Sequence, residues 1–152
     1  MRRVGWLAAL LVAGCGGPTA PSAPSPPRAA VSIMLEGVSV TPSSDPAHPW
    51  LGRWTVVVSE TGRAVGGRVS AVNATLRDAA SGARGAGSSL TGEQVAAAAG
   101  TNLVPAGGSL RVPESLAYAL PSGGRRANLS VAVQFQDDTG HSLTVSAEAV
   151  TP

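Results

Sequence analysis

One cysteine, one phenylalanine, one tyrosine and no lysine stand among the 152 residues. A single thiol excludes a disulfide within the chain, so whatever folds must stand on packing alone. With so few aromatic rings, that packing falls to valine, leucine and alanine. Catalytic signatures are missing too: there is no Gly-x-Ser-x-Gly, no Walker loop, no His-Glu-x-x-His and no Cys-x-x-Cys. The only histidines are His48 and His141. These absences weigh against an enzyme, and no cofactor is expected. No apolar run reaches the roughly 20 residues that a membrane-spanning helix needs. The exclusive use of arginine as base reflects genomic composition and carries no functional inference.

What is present begins at the first residues. Met1-Arg2-Arg3 is a short basic region, Val4 to Ala13 is an apolar segment of ten residues, and Gly14 and Cys15 follow. That order reads as a secretory signal. The four residues Val12-Ala13-Gly14-Cys15, one apolar, two small and the sole cysteine, resemble the lipobox of bacterial lipoproteins. The resemblance implies removal of residues 1–14 and a diacylglyceryl group on the Cys15 thiol, with Val12, Ala13 and Gly14 read by the processing machinery. It implies as partner the lipid bilayer of a bacterial cell envelope, and Gly16 after the cysteine, in place of Asp, implies the outer membrane. Two or more acyl chains hold a protein stably at a bilayer where one does not. The competing reading is an ordinary secretory peptide that leaves Cys15 as a spare thiol. A twin-arginine signal is set aside, because Arg2-Arg3 lack its surrounding residues.

Loss of residues 1–14 changes the charge. Eleven arginines become nine, against nine acidic residues, and the mature chain is formally neutral. Nucleic-acid binding needs a clustered basic face, and the one remaining basic pair, Arg125-Arg126, reads as a solvated turn. No nucleic acid is expected as partner. Residues 15–30 form the lipidated cysteine and a linker whose sequence GGPTAPSAPSPPRAA holds five prolines. Such a segment buries no core, and in polyproline II form it extends to about 45 Å. It reads as a semi-rigid stalk, with a PxxP ligand as the weaker alternative.

Residues 31–152 are long enough for one domain with its own core. Ala127, Leu129, Val131, Val133 and Phe135 alternate with polar or small residues, and Leu143, Val145, Ala147 and Ala149 do the same. This is a hairpin with one buried face. A two-residue loop would set Phe135 opposite Thr144 and mix the faces. A three-residue loop, Asp138-Thr139-Gly140, sets Phe135 opposite Leu143 and Val133 opposite Val145, with Gly140 left-handed. Trp54, Val56 and Val58 predict another strand, as do Val72, Ala74 and Leu76. Val31 to Val40 predicts one or two, and Leu110–Val112 and Leu116–Leu120 two more, closed by Pro113 and Pro121. Between Ala79 and Gly108 the one signal is Thr91 with Gln94, a capping box opening a short alanine-rich helix that Gly100 ends. The helix is expected as a cover over a sheet edge or sandwich end.

Six to eight short strands without βαβ alternation predict an all-β, antiparallel two-sheet sandwich. The pattern resembles bacterial immunoglobulin-like or fibronectin-like modules, although the paired cysteines of antibody domains are absent and Trp54 comes one strand early. Anchor, stalk and a domain empty of catalytic motifs together predict a non-catalytic module that presents loops or a strand edge to an envelope protein or a polysaccharide. His48 and His141 fall at opposite ends of such a sandwich. Asp137, Asp138 and His141, with Glu60 from the neighbouring turn, form a candidate set for a divalent cation, and the alternative function is a lipoprotein that binds a small ligand or such a cation at this hairpin end; the same residues are good turn chemistry and an ordinary cross-strand pair. Asn73 and Asn128 match glycosylation sequons and read as outward strand positions. Trp50 reads as a packed lid before an exposed recognition aromatic.

Overall fold

The computed structural model describes residues 25–152, so the signal, Cys15 and the first part of the linker lie outside the described residues. The described chain forms, in order, β1 (Val31–Pro42), β2 (Trp50–Glu60), β3 (Gly67–Asp78), β4 (Arg84–Thr91), α1 (Gly92–Ala99), β5 (Leu103–Val104), β6 (Ser109–Tyr118), β7 (Ala127–Asp137) and β8 (Ser142–Val150). The strands make two antiparallel sheets, one ordered β1-β2-β6 and the other β4-β3-β7-β8, with β5 also paired to β3. In a constant-type immunoglobulin sandwich the fourth strand joins the first sheet. Here β4 pairs with β3 in the second.

Period-two patterning builds the core. Val56, Val58 and Val112 of one sheet cluster with Val72, Leu76, Leu129, Val133 and Phe135 of the other, all fully buried. The final hairpin has the register that its buried faces dictate: Phe135 opposes Leu143 and Val133 opposes Val145. Asp137 N–H donates to His141 O at 2.9 Å across the three-residue loop, and Gly140 has φ +87°. Trp50 is half-buried against the core, as a packed lid would be.

Of the one or two strands expected over Val31 to Val40 there is one, which runs on to Pro42 and shifts register between Glu36 and Ser39 around a left-handed Gly37. Two expectations need correction. Leu110 to Tyr118 is likewise continuous: Pro113 does not stop β6 but pairs with Thr55 inside it. β6 is an edge strand, where a missing N–H need cost no ladder bond. The second concerns β4 and β5, which no pattern announces. Arg84–Thr91 reads RGAGSSLT and is a strand only because β3 pairs along it, a case of tertiary pairing overriding propensity.

The short helix is present with its full capping box: Gln94 N–H donates to Thr91 Oγ1, and Thr91 N–H donates to Gln94 Oε1 at 2.8 Å. Gly100 ends it at φ +81°. It packs against β3, β4 and β6, closing one side of the sandwich, while β1 lies beside β8 on the other. It does more than cover, because Val95 is fully buried in the core cluster. Thr91→Ala is expected to cost about 1 kcal/mol, read as a lower urea midpoint with an unchanged slope.

Candidate functional site

The acidic residues singled out in the sequence gather at one end of the sandwich, where the linker enters. Asp138 N–H donates to Gly66 O at 3.0 Å, which holds the β7–β8 turn against the β2–β3 turn. Glu60 and Asp137, each nearly inaccessible to solvent, close the last turn of their strands. Glu60 accepts backbone N–H groups from Ala30 (3.1 Å), Gly62 (2.9 Å), Arg63 (2.8 Å) and Gly107 (2.7 Å). Asp137 accepts from the N–H groups of Thr139 (3.0 Å), His141 (2.8 Å) and Ala29 (3.3 Å), and from the Thr139 hydroxyl at 2.6 Å. These donors hold both carboxyls below the ordinary range, led by Gly107 N–H for Glu60 and by the Thr139 hydroxyl for Asp137.

The arrangement works as a clamp on the chain. Ala29 is buried, Ala30 N–H meets Glu60, and Ala30 O accepts from Thr61 N–H at 2.7 Å. Contacts of the chain with the sandwich are thus in place at Ala29 and Ala30, just before β1. With their lone pairs engaged by the backbone, Glu60 and Asp137 have little left for a cation. His141 and Asp138 are exposed at the turn, and no group of three potential metal ligands occurs among the described residues. His48 is at the other end, in the β1–β2 loop, where it pairs with Asp45 at 2.8 Å. The eleven residues of β2 separate the two histidine-bearing loops, about 35 Å at 3.3 Å per residue.

At that far end the turns after β3 and before β7 enclose an open hollow of about 550 Å³. Asp78 shapes it, accepting from Ala80 N–H and Ser122 N–H at 2.9 Å each, which takes its carboxyl down to about 2. Arg125 and Arg126 are on its rim. A second hollow of about 400 Å³ continues over the outer face of the β3-β7-β8 sheet and shares Asn128 and Val150 with the first.

No family model matches the chain, and no curated protein matches it. Among solved structures, the fold is similar to that of a Bordetella pertussis protein provisionally assigned as ApaA, at TM-score 0.59 and 15% identity over 80% of this chain and 92% of that one. It is similar also to a second structural-genomics target, at TM-score 0.57 and 12% identity over 80% and 87% of the two chains. The likeness establishes the fold alone.

Two buried carboxyls, Glu114 and Asp78, have no place among the candidates that the sequence offers. Glu114 lies opposite Trp54 in the β2–β6 ladder and accepts from Ser88 Oγ at 3.2 Å, while its Oε1 and Trp54 Nε1 have no partner among the described residues. Burial pushes this carboxyl above its ordinary value, and the Ser88 hydroxyl opposes the rise. Its alternation with Val112 and Leu116 was the available signal, because an inward position in an edge strand buries whatever occupies it. Asp78 could have been recognised in the same way, as an Asx turn at a strand end before Ala-Ala-Ser-Gly.

Proposed function

We propose that this chain is a membrane-anchored envelope lipoprotein, lipidated at Cys15 and carried to the outer membrane, whose sandwich acts as a non-catalytic binding or interaction module. The observation that carries the reading is the sequence Val12-Ala13-Gly14-Cys15 followed by a proline-rich linker. The clamp at Ala29 and Ala30 supports it. A stalk is useful only if its end is fixed to the cargo, and here Glu60 and Asp137 fix the chain just where the proline-rich stretch ends. With an anchor at Cys15, the β2–β3 and β7–β8 turns would be the end nearer the membrane and the β1–β2, β3–β4 and β6–β7 loops the end away from it. The cation-binding alternative has no support from this geometry, since the carboxylates it needs are bonded to backbone.

The test is expression of the full-length chain and of Cys15→Ala in a bacterium fed radiolabelled palmitate. The parent is expected in the membrane fraction and labelled. Cys15→Ala should be unlabelled and released from the membrane. A parent that carries no label and stays in the soluble fraction would overturn the reading.

A further inference from the structure

We infer that the paired hollows at the far end of the sandwich form a binding groove for an anionic polysaccharide, a glycan chain bearing carboxylate or phosphate groups. This deepens the proposed function and rests on it for the direction in which the groove points. Arg125-Arg126, a solvated turn in sequence terms, here rims the larger hollow, and Arg77 lines the smaller. Among the described residues none of these three guanidinium groups is paired with a carboxylate. The Arg77 guanidinium donates to Gly82 O at 3.3 Å. The acidic residues nearby are Asp78, whose oxygens are taken up by backbone N–H groups, and Glu148. A formally neutral mature chain thus places three of its nine arginines around one concavity.

Register explains the length of the groove. Arg77, Asn128 and Val150 form one row across β3, β7 and β8, and Thr75, Ser130 and Glu148 form the next. All six belong to the outward set of their strands, because their neighbours Leu76, Leu129 and Ala127 are buried in the core. Asn128 and Ser130 bring an amide and a hydroxyl to a floor that also holds aliphatic Leu129, Ala149 and Val150, and among the described residues neither hollow has an aromatic ring in its lining. That composition chooses among ligands. Single-stranded nucleic acid relies on stacking and finds no ring here; a protein partner's anchor needs a well-packed, desolvated pocket, whereas these hollows are open and edged by arginine. Guanidinium groups beside hydroxyls and amides suit carboxylate or phosphate groups spaced along a hydroxyl-rich chain. The clamp sets this groove a full strand length away from the stalk, on the end turned from the membrane.

The experiment uses the full-length chain in non-ionic detergent, with immobilised polygalacturonate, a phosphate-bearing mannan and neutral dextran as probes. Binding to one or both acidic glycans and none to dextran is expected, and the two acidic arms tell carboxylate from phosphate. Arg125→Ala/Arg126→Ala should weaken binding about tenfold, the scale of two exposed charge-assisted contacts. Arg68→Ala, on the same sheet face at the stalk end, should leave it unchanged. Equal binding to dextran, an equal loss in Arg68→Ala, or no loss in the double variant would overturn the inference. Since the assay is done in detergent, its result is independent of whether Cys15 is lipidated in cells.

Discussion

Phe135→Ala is expected to destabilise the domain by about 3–5 kcal/mol, the range for removing a fully buried aromatic ring. The upper part of that range applies, because the site cannot collapse. The ring lies against Gly67, where a Cβ would come within 2.5 Å of Phe135 Cζ and 2.6 Å of Cε1. On that side the backbone of β3 is the wall, and no side chain is available to move into the space. Across the ladders Phe135 opposes Val69 and Leu143, and short, stiff Val69 reaches little further. A lower urea midpoint with an unchanged slope checks the prediction. The converse change supplies a control. Gly67→Ala is strongly destabilising in the parent, since its methyl would overlap the ring and Gln136 O. In a Phe135→Ala background its cost should shrink, leaving only the clash with the carbonyl; strictly additive effects would show that the ring is not what excludes a side chain at Gly67.

The same residues explain what the sequence makes legible. Phe135, Val133 and their partners Leu143 and Val145 reveal a hairpin, its register and its loop, because alternation over two strands joined by a tight turn leaves one pairing that keeps both faces consistent. Thr91, Gln94 and Gly100 announce the helix through bonds confined to one turn. Legibility fails where structure depends on a distant partner. Gly85, Ser88 and Ser89 have no strand pattern of their own and are held by β3. Pro113 looks like a stop because its tolerance depends on β6 lying at an edge. Within the sites, Asp137 and His141 come together as the hairpin register requires, but their role changes. Nothing local to Asp137 or Glu60 shows that Ala29 and Ala30, 108 and 30 residues away in sequence, will bring N–H groups to their oxygens. The groove is hidden for the same reason: Arg77 and Arg126 become neighbours only when β3 pairs with β7.

The clamp gives the second large expected effect, a loss of stability in acid. Glu60, Asp78 and Asp137 are all held below ordinary carboxylate values in the fold by N–H and hydroxyl donors. In the unfolded chain they return to values of about 4. The unfolded state therefore takes up protons first as pH falls. Their contribution is fully present above about pH 4–5, declines as pH drops through the folded values, and is gone once Asp78 titrates at about 2. Glu114 acts in the opposite sense: its raised value stabilises the fold at low pH and is lost as pH rises. With Asp45 also lowered, by its hydrogen bond with His48, four carboxyls against one set the net direction, so the parent should unfold cooperatively on acidification. Glu60→Gln/Asp137→Asn should be less stable at neutral pH and should respond more weakly to acid. The junction offers a local readout as well. Arg28 is exposed immediately before buried Ala29, so trypsin cleavage after Arg28 is resisted while Ala29 and Ala30 stay docked. In the double variant that bond should be cut several times faster at neutral pH, under conditions where the sandwich remains folded by circular dichroism. An acid transition parallel to the parent's, together with unchanged cleavage at Arg28, would show that these carboxylates neither drive the acid response nor secure the end of the linker.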